Sequence, residues 1–133
     1  MSFIEVKGLG DDYEDTPVPE GEYELRIVDT REGRNKADTC DQITVLISVE
    51  DDEYPNSKTI FHYLTFPGGE DDDNVRRNKM RNLSRFLKLF EVPYEKNGLN
   101  SEDMLGLTAN CVLTQEEYEG NISNRLRLPS SRQ

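Results

Sequence analysis

Hydrophobic and polar residues alternate along five short stretches of the chain. An alternation with a period of two is typical of a β-strand that buries one face and exposes the other. The predicted strands cover residues 21–29, 42–50, 58–66, 107–115 and 122–128. The second stretch has the clearest pattern, because Ile43, Val45 and Ile47 all fall on one face.

Residues 75–92 have the period of a helix instead. Their large apolar side chains recur mostly at intervals of three, which places them along one side of a helix. These residues are Met80, Leu83, Phe86, Leu87 and Phe90. Asp72 or Asp73 is the expected N-cap, and Pro93 is expected to end the helix. A shorter helical turn is predicted over residues 101–105.

The order of these elements is three strands, one helix and two strands. This is the order of the OB-fold, a small and partly open Greek-key barrel. The expected fold class is therefore mainly β, a five-stranded OB-fold-like Greek-key barrel with one helix between strands three and four. The main alternative is a helix packed on an open five-stranded sheet, because the order of elements does not fix the topology.

The chain has 133 residues, which suits a single domain. Residues 1–20 are acidic and turn-rich, and we expect them to form a flexible N-terminal arm. A single OB-fold-like domain is predicted for residues 21–129, followed by a short polar tail at 130–133. Cys40 and Cys111 lie in unrelated contexts and are expected to be reduced thiols.

The formal net charge of −11 argues against a dedicated binder of duplex DNA. The charges are nevertheless segregated along the chain. Residues 1–24 carry −7, whereas residues 76–91 carry +5 and residues 120–133 carry +3. A chain that is acidic overall can therefore present one positive surface.

Residue patterns that indicate catalysis are sparse. His62 is the only histidine, and it shares a predicted strand face with Ile60 and Leu64, which favours packing over acid–base chemistry. The sequence has no glycine-rich phosphate loop, no Cys-x-x-Cys pair and no serine-centred elbow. We therefore expect no enzyme activity and no cofactor.

The acidic run at residues 70–73 offers carboxylates to a hard cation. It lacks the spaced ligands of a calcium loop, and capping of the following helix accounts for the same residues. We therefore expect no metal site. No apolar run approaches the length of about 18 residues that a membrane span needs. We expect no membrane partner, and the absence of an apolar leader segment favours a cytoplasmic location.

Phe61 and Tyr63 lie two residues apart, on the face of the third strand opposite Ile60 and Leu64. Exposed rings flanked by cations are typical of proteins that bind single strands by base stacking and phosphate contacts. Basic residues are predicted on the outer faces of strands one and five and in the loop at 30–41, with a further ring in the last hairpin. The candidate nucleic-acid-binding residues are Phe61, Tyr63, Tyr118, Arg26, Arg31, Arg34, Lys36, Arg125 and Arg127. The alternative is that Phe61 and Tyr63 cover a second small core against the arm or a partner chain.

The six cations of the predicted helix have two interpretations. They form either its solvated face or a surface that contacts phosphates. The helix of an OB-fold usually lies away from the nucleic acid, so we assign Arg81, Arg85 and Lys88 to the solvated face. The cations from Arg76 to Lys79 are expected closer to the mouth of the barrel.

Four segments resemble small phage-encoded proteins described as single-stranded-DNA-binding-like. They are a strand after Pro-x-Gly-x-Tyr (Pro19 to Tyr23), a strand ending in Leu-x-x-Pro (Leu64 to Pro67), the helical pair Phe86–Leu87, and a Tyr-x-Gly-x-x-x-Asn hairpin before a basic strand (Tyr118, Gly120, Asn124, Arg125, Arg127). The resemblance covers residues 17–129 and implies an OB-fold that binds single-stranded DNA. Many phage single-strand binders carry their acid in a C-terminal tail, whereas the acid of this chain is N-terminal.

The pattern of rings and cations on the strand faces and the resemblance to phage proteins together predict a non-enzymatic protein that binds single-stranded DNA. It would act in phage DNA replication or recombination, with little sequence specificity. Its location would be the host cytoplasm, and its acidic segments are candidate contacts for phage replication or recombination proteins. The alternative prediction is an acidic protein-interaction module with a host or phage partner, or a mimic of nucleic acid. The oligomeric state and the preference between DNA and RNA stay open.

Overall fold

The computed structural model describes residues 2–5, 16–36, 38, 40–96 and 98–128. In chain order its elements are β1 (Gly21–Arg34), β2 (Asp41–Val49), β3 (Ile60–Thr65), α1 (Asp73–Leu89), a 3₁₀ turn (Ser101–Met104), β4 (Thr108–Tyr118) and β5 (Asn121–Arg127). The mainly β class is confirmed, as is the position of the helix between the third and fourth strands. The predicted tail at residues 130–133 lies outside the described residues.

The five strands form one sheet in the order β3-β2-β1-β4-β5, and every hydrogen-bonded pair is antiparallel. The edge strands β3 and β5 therefore run in the same direction. Cα atoms of these two strands approach within 8 Å, although no hydrogen-bonded ladder joins them in the described chain. The sheet is not closed into a full barrel, so the predicted barrel is supported only loosely. We call the gap between β3 and β5 the seam.

β1 is longer than the sequence pattern predicts, and it contains a β-bulge at Val28. Its pairing with β2 shifts by one residue between Ile27 and Asp29. The strand then continues to Arg34 through a segment predicted as loop. That segment is polar on both faces, so pairing with β2 holds it in the sheet without any hydrophobic pattern. Because side chains alternate along a strand, the bulge exchanges the faces of all the β1 residues that follow it.

The hydrophobic core lies between the inner face of the sheet and one side of α1. The helix contributes Leu83, Phe86 and Leu87, which pack with the alternating apolar residues of the strands. Phe86 is fully buried. Met80 belongs to the predicted helical stripe but is half exposed, since it lies beside Tyr94 at the edge of a surface groove.

Asp72 is the N-cap of α1, as predicted. Its Oδ1 accepts a hydrogen bond from the Val75 backbone N–H at 2.8 Å. This contact satisfies one of the donors that a helix leaves free at its start, and the carboxylate lies at the positive end of the helix dipole. No helix in the described ranges is both long and apolar enough to cross a membrane.

A left-handed turn ends α1 before Pro93 is reached. Glu91 has a φ of 53°, and the next N–H, that of Val92, donates to the Leu87 carbonyl at 2.9 Å. This is the Schellman arrangement, which usually has glycine at the left-handed position. The chain therefore stops the helix by backbone geometry, with a non-glycine residue in a conformation that costs free energy.

Residues 16–20 pack on the domain, although the sequence assigns them to the arm. Thr16 forms a parallel bridge to Ser57, and Val18 lies in the core with 1% of its surface exposed. Asn124 holds this segment, because its Oδ1 accepts the Val18 N–H and its Nδ2 donates to the Val18 carbonyl, each at 2.9 Å. Residues 6–15 of the predicted flexible arm lie outside the described residues.

Both cysteines are buried free thiols, which agrees with the prediction of reduced cysteines. Cys111 lies on the inner face of β4. Burial is the main cause that raises the pKa of its thiol, so the side chain is protonated and unreactive near neutral pH.

Candidate functional site

The outer face of the sheet carries a row of three residues across β1, β2 and β3. Tyr63 pairs with Thr44, and Thr44 pairs with Arg31. Directly opposed residues of neighbouring strands point to the same face. Strands are spaced about 4.8 Å apart, so the Arg31 backbone lies roughly 10 Å from that of Tyr63, within reach of the long arginine side chain.

A second row lies directly beside the first. Phe61 pairs with Leu46, and Leu46 pairs with Asp29. Phe61 and Tyr63 are 42% and 49% exposed, respectively. The two rows form a continuous surface with the rings at one side and one cation and one carboxylate at the other. We call the surface formed by Phe61, Tyr63, Thr44 and Arg31 the aromatic patch; Leu46, which pairs with Phe61, is buried, with 9% of its surface exposed.

The exposure of the two rings bears on the hypothesis that they cover a second small core. Among the described residues, including 2–5 and 16–20 of the arm, nothing buries Phe61 or Tyr63. A ring that is more than 40% exposed keeps one side accessible to a ligand. The two rings thus keep part of their surface accessible within the described residues, whereas Leu46 of the same face is buried.

The bulge at Val28 decides which β1 arginines reach the outer face. Arg26 pairs with Ser48 and Arg31 with Thr44, so both lie on the outer face although they are an odd number of residues apart. Arg34 pairs with Asp41, on the side of the inner residues of β2. The structure therefore separates Arg34 from the aromatic patch.

Two of these arginines are also paired with acids. Arg26 lies 3.4 Å from a carboxylate oxygen of Glu50. Arg34 contacts Asp38 and Asp41, each at 3.0 Å, and these hydrogen bonds raise the pKa of its guanidinium. Arg34 lies at the end of β1 rather than in the predicted loop. Lys36 is in that loop and is exposed.

The β5 arginines approach the aromatic patch from the other side, across the seam. Arg125 and Arg127 pair with Thr114 and Val112 on the outer face of β4. The Lys58 amine, just before β3, donates to the Ile122 carbonyl of β5 at 3.4 Å. Because the two edge strands run in the same direction, this contact sets Arg125 and Arg127 alongside the stretch that holds Phe61 and Tyr63.

His62 lies on the inner face of β3, behind this arrangement of rings and arginines. Burial and, secondarily, the positive charge of Arg125 lower its pKa to about 4. The His62 ring stacks on Phe86, with centroids 5.0 Å apart and an interplanar angle of 7°. The histidine is thus a neutral packed side chain at pH 7, and no catalytic partner is seen for it in the described structure.

Tyr118 and the β4–β5 hairpin form the outlying part of the predicted site. Tyr118 is largely exposed and pairs with Asn121. It lies five residues beyond Leu113, the last β4 residue that pairs with β1, so the hairpin projects past the sheet. Arg125 forms an ion pair with Glu116 on the same hairpin.

The predicted acidic run at residues 70–73 has structural partners in the fold. Asp72 caps α1, and Asp71 accepts hydrogen bonds from the Lys79 amine at 2.7 Å and from the Gly68 N–H at 2.8 Å. The Lys79 hydrogen bond is the largest cause that lowers the pKa of Asp71. Within the described ranges, no group of three or more histidine, cysteine or carboxylate side chains is placed to hold a metal ion.

Sequence reasoning missed two of the polar residues that line the seam, Asn82 and Arg85, whereas it expected Lys79 near the mouth of the barrel. Lys79, Asn82 and Arg85 of α1 border a cleft beside Tyr63. The helical pattern alone gives no signal for this position, because it depends on where the helix lies relative to the two edge strands. Thr44 was missed in the same way, since only the register places it between Arg31 and Tyr63.

Comparison with protein-family models gave no match, and comparison with curated proteins gave none. The argument for a function therefore depends on the geometry of the aromatic patch and the cations around it.

Proposed function

We propose that the protein binds single-stranded DNA on the aromatic patch, without enzymatic activity, in phage DNA replication or recombination. The observation that carries the proposal is the pair of exposed rings in adjoining rows, with Arg31 in the row of Tyr63 and two arginines of β5 beyond the seam. The resemblance to phage single-strand binders points to the same function and supplies the biological setting.

The rings would provide the affinity that does not depend on base sequence. Stacking on an aromatic side chain is worth about 1–3 kcal/mol per base and tolerates any base. Phe61 and Tyr63 lie about 7 Å apart along β3, at two residues of about 3.3 Å rise each, so they would contact separate bases.

The cations would contact the phosphates on both sides of the rings. Arg31 and Arg127 have no ion pair within the described residues and are free to bind. Arg125 is paired with Glu116, but both side chains are about half exposed. Such a surface pair contributes at most about 1 kcal/mol, so a phosphate can replace the carboxylate. Binding should weaken steeply with salt as counterions are released.

The acidic arm would either weaken the binding of polyanions that are not targets or bind a basic replication protein. Its support is the charge of −4 over residues 1–15. Deletion of residues 1–15 keeps Thr16 and Val18 and therefore leaves the packed segment intact. If the arm competes with DNA, this deletion tightens binding at low salt. An unchanged affinity would exclude competition.

A titration of labelled oligothymidylates of increasing length, followed by fluorescence anisotropy at low and moderate salt, tests the proposal. Tyr63→Ala and Phe61→Ala should each weaken binding by roughly 5- to 150-fold, the equivalent of 1–3 kcal/mol. Tyr94→Ala is the matched control, because Tyr94 is an exposed tyrosine in the segment after α1, outside the patch. Equal losses for Tyr63→Ala and Tyr94→Ala would contradict the proposed surface.

The alternative function is an acidic protein-interaction module. Its specific support is the exposed apolar pair Phe3 and Ile4, 95% and 75% exposed at the start of the acidic arm. Two such side chains are suited to a pocket on a partner protein. The same titration separates the two functions, because a protein module would bind no single strand even at low salt.

A further inference from the structure

The seam contains a cleft that the aromatic patch does not include. It has a volume of about 340 Å³ and lies between β3, β5 and α1. Its polar lining comes from Tyr63 and Thr65 of β3 and from Lys79, Asn82 and Arg85 of α1. Leu126 of β5 and Leu128, just after the strand, line the opposite wall. Tyr63 belongs both to this cleft and to the aromatic patch, so the two surfaces are continuous.

Arg85 has a feature that a solvated helix face does not explain. Its Nε is buried and has no hydrogen-bond partner in the part of the chain that the structure describes. A buried donor on a charged group is costly to leave unpaired. The assignment of Arg85 to the solvated face is therefore wrong. Arg81, one turn earlier, is exposed and donates to Asn78 Oδ1 at 3.4 Å.

The charges around the cleft leave an excess of positive charge. Lys79 is compensated, since its amine contacts Asp71 at 2.7 Å and Cys40 Sγ at 3.6 Å. His62, which also lines the cleft, is neutral at pH 7. The guanidinium of Arg85 has no compensating acid among the described residues. The uncompensated guanidinium of Arg85 is therefore expected to attract an anion into the cleft.

We propose that this cleft is a phosphate-binding subsite in which Arg85 binds a phosphate group of the strand whose base stacks on Tyr63. The inference rests on the proposed function for the source of the phosphate. Arg85 would donate from its guanidinium, and the Asn82 amide and Thr65 hydroxyl are the neighbouring donors. The volume leaves room for a phosphodiester together with its sugar, and charge-assisted hydrogen bonds to phosphate are among the strong ones.

The first test uses two variants of one helix. Arg85→Gln and Arg81→Gln remove the same charge from neighbouring turns of α1, and both are compared with the wild type in binding a dT oligonucleotide. Arg85→Gln should weaken binding by roughly 10- to 100-fold, as expected for one charge-assisted hydrogen bond. It should also reduce the slope of log K against log salt by about 1. Arg81→Gln should change the affinity by less than about twofold. Equal effects of the two variants, with DNA binding retained, overturn the subsite and leave the proposed function standing.

The second test follows the Nε–H signal of Arg85 by NMR in the wild-type protein, and so needs no variant to fold. The probes are inorganic phosphate and a short dT oligonucleotide with and without a 5′ phosphate. A shift with the oligonucleotides supports a strand phosphate as the ligand. A shift with inorganic phosphate, in a protein that binds no oligonucleotide, supports the anion site and shows that the proposed function has failed. No shift with any probe overturns the subsite.

Discussion

His62 should make the protein less stable as the pH falls, by an amount that its surroundings determine. Its ring lies against Phe86 with no hydrogen-bond partner seen in the described structure, and burial together with Arg125 lowers its pKa from 6.5 to about 4. Between these two values the unfolded chain binds a proton that the folded protein excludes. The stabilising contribution is therefore complete above pH 6.5 and is lost as the pH falls towards 4.

The size of the effect follows from the difference between the two pKa values. A gap of about 2.5 corresponds to about 3 kcal/mol for the complete transition, at 1.36 kcal/mol per pKa unit. About 2.5 kcal/mol of this should be lost by pH 4.5. Carboxylates also titrate in this range, so the quantity to measure is the difference between the wild type and His62→Phe, which keeps a flat ring against Phe86.

Urea unfolding of both proteins at intervals from pH 7.5 to 4.5 measures that difference. The free energy of unfolding of the wild type should fall by about 2.5 kcal/mol more than that of His62→Phe over this interval. Arg125→Gln should raise the His62 pKa towards 6.5, and Arg127→Gln should raise it less. His62 is the only histidine, so its ring NMR signals report that pKa directly. Parallel stability curves, or a ring titration near pH 6.5, would refute the reasoning.

Three further changes test how the fold is held. Asn124→Ala leaves the Val18 N–H buried without its acceptor and should lower the free energy of unfolding in urea by about 2–4 kcal/mol. Asn110→Ala, at an exposed position of β4, should lower it by less than about 0.5 kcal/mol. Equal losses would contradict the role of the hydrogen-bonded clamp between Val18 and Asn124. Glu91→Gly removes a side chain from a left-handed position and should raise the free energy of unfolding by about 1 kcal/mol, so a loss of stability would contradict the helix end described. Asp72→Ala should lower it by about 1 kcal/mol by removal of the N-cap, and an unchanged midpoint would contradict that role.

The main elements of the fold could be predicted because their hydrophobic periods are local. β2 and α1 have clear patterns, and Asp72 is a local capping signal. The segment at 30–34 could not be predicted as strand, since its order comes from pairing with β2 and not from its own pattern. The clamp between Val18 and Asn124 joins residues 106 positions apart. The alternation of β5 places Asn124 on the inner face, but no local pattern in the sequence predicts that its hydrogen-bond partner is Val18.

The candidate site was predictable where strand alternation decides it. The exposure of Phe61 and Tyr63 follows from their position opposite Ile60 and Leu64. The alternation also places Arg26 correctly, but the faces of Arg31 and Arg34 were not predictable, because the bulge at Val28 reverses the alternation. Without the bulge, Arg34 would share the outer face with Arg26 and Arg31 would point inwards. The position of Arg85 at the seam likewise depends on tertiary packing.

The central claim is that bases stack on β3, and a fluorophore placed there tests it most directly. The chain contains no tryptophan, so Tyr63→Trp introduces a single indole into the aromatic patch, and Tyr94→Trp places one in a control position. Saturating dT oligonucleotide should quench the indole at position 63 strongly and that at position 94 little, whereas an abasic oligonucleotide should quench neither. Bound DNA that leaves the indole at position 63 unquenched, or quenches both positions equally, would contradict the account.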